Sequence, residues 1–164
     1  MFREMRRKAQ QIPDEESIAI LEGGKTGILG VIGDDGYPYT VPVNFAYEDG
    51  KIHFHGAMTG HKIESIRKNN KVSFTVIDQD EVVEKDRTTA YKSVICFGRA
   101  EEVTDHDEKV HSLRLVGYKY SGAFPDLVEE EIREAAVHTC CVRITIEHMT
   151  GKEGKVLLEK RRQK

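Results

Sequence analysis

The residues best suited to chemistry lie in one short segment, His55-Gly56-Ala57-Met58-Thr59-Gly60-His61-Lys62. It joins a predicted strand to the start of a predicted helix. A helix N-terminus carries partial positive charge and free N–H groups, so its first turn normally contains acidic residues. Here His61 and Lys62 occupy that turn, at a cost of about 0.3–1 kcal/mol for each charged side chain. A bound phosphate would reverse the sign, and the small residues of the segment would let it approach the backbone. The alternative is that Lys62 merely points into solvent.

The other predicted helices begin in the ordinary way. Those starting near residues 14, 104 and 126 all have acidic residues in or next to their first turns. Among the predicted helices, the one near Gly60 is therefore the exception, and an anion beside it would explain the difference.

A second motif, Thr40-Val41-Pro42-Val43-Asn44, interrupts a predicted strand with proline. Proline removes a ladder donor, so it occurs at sheet edges or bulges. Neighbouring backbone groups would then be free to hydrogen-bond a planar heterocycle. The alternative is an edge strand that uses Pro42 to block aggregation.

Alternating apolar residues and acidic-Gly turns predict the elements that must position these motifs. Helices are predicted over residues 14–22, 60–68, 104–120 and 126–138, and a loop or ragged edge over 78–89. Strands are predicted over residues 26–32, 37–47, 51–55, 71–77, 91–103 (bulged at Gly98) and 140–146. The expected fold is mainly β, a closed or nearly closed six-stranded antiparallel barrel with added helices. We expect a single domain over 1–164, with an N-terminal helix (14–22), a barrel (26–103), a helical insertion (104–138) and a final strand (140–148).

Composition excludes several classes of protein. The net charge of -3 predicts no nucleic-acid partner, and no apolar stretch approaches the ~20 residues of a membrane helix. Polar residues follow the basic N-terminus where a signal peptide needs an apolar block, so we expect a cytoplasmic protein. The three cysteines have no disulfide or zinc spacing, and Cys140 and Cys141 should be buried on opposite faces of one strand. His53 and His55 share a strand face, but no Cys or carboxylate stands at ligand spacing beside them, so no metal site is expected.

Taken together, the Pro42 strand, the hairpin at Gly50 and the Gly60-His61-Lys62 loop resemble the pyridoxamine 5′-phosphate oxidase-like superfamily of FMN-binding split barrels. Within it, they are most similar to the branch containing the 5-nitroimidazole reductases. The resemblance covers residues 33–76, 88–105 and 144–155. The order and spacing of these segments make the match specific.

The resemblance implies a six-stranded split barrel that forms a homodimer, with FMN at the subunit interface and a small-molecule substrate. Thr40, Val41, Pro42, Val43 and Asn44 would lie along the flavin ring. His55, Gly56 and Ala57 would line the ring and the ribityl chain, and Gly60, His61 and Lys62 would hold the phosphate. Ser93 and Val94 would reach the flavin of the partner subunit, and His148, Thr150 and Lys152 would close over the site.

If FMN binds, His55 is the candidate catalytic residue, able to donate a proton or hold a substrate anion near the ring. The alternative is that His55 only hydrogen-bonds FMN. Flavin chemistry needs little from side chains beyond positioning and electrostatics, so no catalytic triad is expected.

The resemblance implies an FMN-dependent oxidoreductase that passes electrons from a nicotinamide nucleotide to a small acceptor such as a nitro compound. Authentic pyridoxamine 5′-phosphate oxidases carry a Trp- and Arg-containing C-terminal segment. This chain has no Trp, so that reaction is not expected. The alternatives are a non-catalytic flavin- or haem-binding protein, and a deazaflavin in place of FMN.

Overall fold

The computed structural model describes residues 1–163, which form one antiparallel sheet of eight strands and five α-helices. The helices are α1 (Asp14–Gly23), α2 (His61–Lys68), α3 (His106–Ser121), α4 (Pro125–Ala135) and α5 (Lys155–Arg162). The strands are β1 (Gln11–Ile12), β2 (Gly27–Ile32), β3 (Pro38–Val43), β4 (Ala46–Glu48), β5 (Lys51–Ala57), β6 (Lys71–Val83), β7 (Thr88–Glu102) and β8 (Thr139–Glu153).

The sheet curls on itself because of its strand order. Its strands run β3-β2-β6-β7-β8-β5-β4, and β1 pairs with β8. The two ends of this order, β3 and β4, are separated in the chain by only Asn44 and Phe45, so the ends of the sheet must meet. The mainly β split-barrel class is therefore confirmed, with eight strands rather than the expected six.

The two additional strands are too short to leave a periodic signal. The strand predicted over 37–47 is in fact two, β3 and β4, broken at Asn44 and Phe45. The Phe45 side chain is fully buried, and its backbone N–H donates to the Tyr120 hydroxyl at 3.0 Å. The other, β1, pairs Gln11 and Ile12 with the end of β8.

The prediction of a loop or ragged edge over residues 78–89 is wrong. There β6 and β7 continue as a hairpin, with Val83 paired to Thr88. Most of its side chains are exposed, so the polar sequence reflects a solvated ribbon rather than a loop. The final strand also extends further than expected, to Glu153. Residues expected to form a tail, 155–162, form α5.

Side-chain alternation places the core inside the barrel. The fully buried aromatic rings are Phe45, Phe54 and Phe74. Cys140 packs in this barrel core, whereas Cys141 packs in a second cluster under α3 and α4. The prediction that these neighbours are buried on opposite faces is confirmed, and burial raises the pKa of each thiol to about 11. No helix within residues 1–163 has the length and apolar character needed to cross a membrane.

The Tyr120 hydroxyl stabilises the junction between the two ends of the sheet. It accepts from the Phe45 N–H, and its single proton can be shared between the carbonyl oxygens of Phe45 and Lys25. We expect Tyr120→Phe to lower the free energy of unfolding by about 1–2 kcal/mol, since buried backbone groups would lose their partner. Urea denaturation followed by circular dichroism measures this, and Tyr37→Phe, at an exposed ring, is the control. Equal stability of both variants would contradict a role for the hydroxyl.

Candidate functional site

The N-terminus of α2 leaves backbone donors free. Gly60 precedes the helix with a φ of 129°, a backbone conformation that favours glycine. Its carbonyl oxygen accepts from the N–H groups of Ile63 and Glu64, each at 3.0 Å. The N–H groups of His61 and Lys62 have no hydrogen-bond partner among residues 1–163. Two donors therefore remain available at the positive end of the helix dipole.

The Lys62 side chain lies against the backbone of β5. Its Cε and Nζ atoms are 3.3 Å from the position that a Cβ atom on Gly56 would occupy. A larger residue at position 56 would push the ammonium group away. Lys62 forms no ion pair within the described chain, so no carboxylate there compensates its charge.

His61 is oriented by contacts on its other side. Its ring stacks on Tyr39 with centroids 4.1 Å apart, and its Nε2 atom lies 3.9 Å from an Asp34 carboxylate oxygen. Lys68 donates to the other Asp34 oxygen at 2.9 Å, and this bond lowers the pKa of Asp34. The Asp34 charge is therefore mainly neutralised by Lys68 at the far end of the helix.

Arg67 ties the loop before α2 to the sheet. Its guanidinium donates to the Glu102 carboxylate at 2.6 and 2.8 Å and to the Met58 carbonyl oxygen at 3.2 Å. These contacts hold the segment between β5 and α2 in place without involving Lys62.

The first turn of α2 differs less from the other helix starts than its two basic residues suggest. Glu64, in the first turn of α2, accepts the Gly60 N–H at 3.3 Å, so one donor of that turn is already used. The unexpected helix α5 has no acidic residue in its first turn and begins with a basic residue, Lys155. The α2 start is therefore distinguished by the free Lys62 beside Gly56, not by basic residues alone.

Pro42 lies in an edge strand, which agrees with both interpretations of this motif, and the contact of its backbone neighbours with a heterocycle stays a prediction. β3 pairs with β2 on one side only. Thr40 and Pro42 are exposed, whereas Val41 and Val43 pack partly against the core. Asn44 is exposed just beyond the strand. Contacts from Val41 and Val43 to a ligand on the outer face would come through their backbone atoms.

The strand register brings six of the expected site residues onto one outward face. One cross-strand row runs Thr40, Gly30, Ser73, Phe97, His148. The next runs Pro42, Ile28, Thr75, Ile95, Thr150, and Ser93 pairs with Lys152 beyond it. This outer face thus collects Thr40, Pro42, Ser93, His148, Thr150 and Lys152. Val94 points the other way and is fully buried in the core, so only its backbone is available.

A groove of about 690 Å³ crosses this outer face. Gly30 and Ser73 form part of its floor, and Phe97 forms part of its wall. The Arg99–Glu147 ion pair, at 2.7 Å, stands at its edge. A groove of this size and mixed lining can hold a small organic molecule.

The structure does not bring His55 together with Lys62. His55 and His53 lie on the α3–α4 side of β5, whereas Gly56 faces Lys62. His55 borders a cavity of about 50 Å³ with Glu131 and Leu113 among its lining residues. His55 is an exposed residue, but partial desolvation lowers the pKa of its imidazole, and the Glu131 charge opposes that shift. The assignment of His55 to catalysis stays a prediction, and so does that of Ala57, which is exposed at the end of β5.

His53 is buried at the β5–α3 contact and makes stability depend on pH. Its Nδ1 atom lies 3.1 Å from the Ser112 hydroxyl, and its Nε2 atom is buried without a hydrogen-bond partner among residues 1–163. Burial lowers the pKa of His53 from 6.5 to about 4; Glu48 opposes this, and the Arg143 cation adds to it.

Protonation below pH 6.5 therefore favours the unfolded chain. We expect His53 to reduce stability as the pH falls from about 6.5 to about 4, by at most about 1.4 kcal/mol per pH unit, and to have no effect above that window. Urea denaturation of the wild type and of His53→Gln at several pH values measures the difference in their free energies of unfolding. Taking this difference removes the contribution of the carboxylates, which both proteins share. Parallel curves for the two proteins would contradict this assignment.

Sequence reasoning missed several residues of this region. Phe97 could have been found, because Ile95, Phe97 and Arg99 alternate along β7 with buried Val94 and Cys96. No local pattern indicates the Asp34–Lys68 pair, whose members are 34 residues apart. Within residues 1–163, no cluster of His, Cys, Asp and Glu side chains has the arrangement of a metal site.

Comparisons with known proteins show which family the sequence matches. Residues 13–153 match the family model described as pyridoxamine 5′-phosphate oxidase. A candidate 5-nitroimidazole antibiotic resistance protein of Bacteroides thetaiotaomicron has a similar solved structure, with a TM-score of 0.73 at 25% identity over 87% of this chain and 86% of that one. An FAD-binding protein of Mesorhizobium loti matches with a TM-score of 0.61 at 27% identity, over 89% and 98% of the two chains.

A third solved structure shares the fold alone. The FAD- and haem-binding protein of Mycobacterium smegmatis has a TM-score of 0.76 at 16% identity, over 89% of this chain and 74% of that one. The comparison with curated proteins gave no significant match.

Proposed function

Because this chain belongs to the pyridoxamine 5′-phosphate oxidase family, we propose that it binds FMN and acts as an oxidoreductase on a small acceptor. The observation that carries the proposal is the start of α2. There the Lys62 ammonium group, which forms no ion pair among residues 1–163, lies against Gly56, and the N–H groups of His61 and Lys62 have no partner in the same part of the chain. This donor set suits the phosphate of FMN.

The chain's own residues would divide the work of holding the cofactor. Lys62 would neutralise the phosphate charge, while the N–H groups of His61 and Lys62 donate to its oxygens. Glu64, which accepts the Gly60 N–H, would limit the phosphate to the two remaining donors. Tyr39 would fix the His61 ring through the stack between them.

The flavin ring would lie along the edge strand β3. An edge strand presents backbone donors and acceptors that no neighbouring strand uses. Pro42 interrupts that row, so a flat ring with its own donors and acceptors pairs with the groups on either side. When bound, the flavin would supply the redox chemistry, and the protein would supply position and electrostatics.

The proposed homodimer would cover part of the outer face. Ile32, Ile77 and Ile95 are between 39% and 57% exposed there, which is unusual for apolar side chains on neighbouring strands. A second copy packed on this part of the face would bury them and leave Phe97 beside the interface. Ser93 and Lys152, on the same face, would then approach the flavin of the partner subunit.

A nicotinamide nucleotide as donor and a nitro compound as acceptor complete the proposal. The likeness to the Bacteroides thetaiotaomicron protein supports the acceptor class. A cytoplasmic location is part of the same proposal. Oxidation of pyridoxamine phosphate is not proposed, because the chain has no Trp for the C-terminal segment of those oxidases.

The test uses the purified full chain. Its visible absorbance should show bound flavin, mass spectrometry of the extracted cofactor should identify FMN, and a nicotinamide nucleotide should bleach the spectrum and support reduction of a nitroimidazole. Chromatography with light scattering should give twice the mass of one chain. Bound flavin without turnover would indicate the non-catalytic alternative, and a spectral shift with haem would indicate haem binding. A deazaflavin in the extract would replace FMN, and failure to bind added FMN would overturn the proposal.

A further inference from the structure

An aromatic stack on the outer face marks a second ligand position in the groove. The Phe2 ring lies parallel to the His148 imidazole, with 4.8 Å between centroids and 5° between planes. It also stacks on Phe97 at 5.7 Å and 23°. Phe97 and His148 are cross-strand partners on β7 and β8, and their rings lie 6.4 Å apart with 21° between planes. Together they form a nearly flat platform, and Phe2 covers it.

The groove beside this platform is shaped for a flat molecule. Gly30 contributes no side chain to the floor, and a Cβ atom there would lie 2.5 Å from the Ser73 hydroxyl oxygen. The Thr40 and Ser73 hydroxyls and the Arg99 guanidinium provide donors along the same groove. An apolar stacking surface next to these donors suits a flat ring with polar substituents.

We propose that the Phe97–His148 platform is the acceptor site, that it binds a small flat heteroaromatic ring with polar substituents, and that Phe2 occupies the place of this ring until the ligand displaces it. The proposal rests on the proposed function, because it places the acceptor beside the residues expected to hold FMN. Phe2 remains 41% exposed and belongs to the segment before the first element of the fold. Its displacement therefore does not require the sheet to open.

The Phe2 ring and the ligand would therefore compete for the same place on the Phe97–His148 platform. A ligand that must displace Phe2 binds more weakly than its contacts with the platform alone would allow. Removing the Phe2 ring should therefore tighten binding by about three- to tenfold, the amount that one aromatic stack contributes. Removing the Phe97 ring should weaken binding, because the platform itself is lost.

The experiment titrates the FMN-supplemented protein with 2-methyl-5-nitroimidazole and follows binding by saturation-transfer NMR. Phe2→Ala should bind the probe about three- to tenfold more tightly than the wild type, and Phe97→Leu at least about fivefold more weakly. Phe124→Ala, at an exposed ring far along the chain, is the matched control and should leave the affinity unchanged. Circular dichroism verifies that each variant is folded.

Measuring FMN affinity on the same samples separates the two proposals. Tighter probe binding by Phe2→Ala in a chain that fails to bind FMN would support the platform and overturn the proposed function. Unchanged or weaker probe binding by Phe2→Ala would overturn the displacement proposal. A gain in FMN affinity instead of probe affinity would also overturn it, because the platform would then hold the flavin.

Discussion

Replacing Lys62 with Ala should weaken FMN binding by roughly 10- to 150-fold while leaving the fold intact. Its ammonium group is the uncompensated charge at the α2 start, lying over Gly56. A charge-assisted hydrogen bond to a phosphate contributes about 1.5–3 kcal/mol, which corresponds to that loss of affinity. The side chain makes no ion pair within the described residues whose loss would destabilise the protein.

Flavin fluorescence measures this effect, because FMN emission changes when the ring is bound. Lys62→Arg should retain most of the affinity, since the guanidinium also carries charge and donors. Lys68→Ala is the matched control: it removes the same side chain from the same helix, but Lys68 is paired with Asp34 at 2.9 Å. We expect that variant to bind FMN within about threefold of the wild type. If both alanine variants bound equally well, the phosphate would have to lie elsewhere.

A Lys62→Ala result would also separate the phosphate site from the acceptor site. Lys62 is on α2, whereas Phe97 and His148 lie on β7 and β8. A variant that loses FMN but keeps its affinity for a nitroimidazole would show that the two ligands have independent positions. Loss of both affinities would mean that the flavin itself forms part of the acceptor site.

Parts of the candidate site could be predicted from sequence where the structure depends on residues that are adjacent in the chain. A proline in a strand favours an edge, and Pro42 lies in the edge strand β3. The free donors at the α2 start follow from the predicted beginning of a helix after Gly60. Each of these inferences used only residues that are neighbours in the chain.

Long-range pairing explains most of what could not be predicted. Phe2 meets Phe97 and His148 across most of the sequence, and no local pattern encodes such a contact. The inner and outer faces of β8 depend on its register with β7. That register separates inward Val94 from outward Ser93, although both were expected at the cofactor.

Short or unusually polar elements account for the errors in the fold. Strands of two and three residues, such as β1 and β4, contain too few side chains to show an alternation. The ribbon at the end of β6 lacks the expected alternation because neither of its faces is fully covered by the core. The helix α5 was missed because its basic residues read as a tail, although Leu158 is buried.

The second large effect is expected at Gly98, where the sequence predicts a bulge. The register between β7 and β8 shifts there: Phe97 pairs with His148 and Gly98 with Ile146, leaving Glu147 as the extra residue. The pairing is therefore irregular at Gly98 as predicted, but the extra residue belongs to β8 and not to β7, where the bulge was expected. The reason that glycine is needed is close approach, since a Cβ atom would lie 2.3 Å from the Thr145 carbonyl oxygen.

We expect Gly98→Ala to lower the free energy of unfolding by about 2–4 kcal/mol, because a backbone oxygen of a paired strand cannot rotate away from the new methyl group. Urea denaturation followed by circular dichroism measures the loss. Gly23→Ala is the control, since a Cβ atom at the end of α1 would meet nothing within 4 Å, and alanine should be neutral or slightly stabilising there. A cost below about 1 kcal/mol at Gly98 would mean that β7 and β8 can separate at the bulge. The register that sets Phe97 against His148 would then be adjustable, and the platform they form would not be rigid.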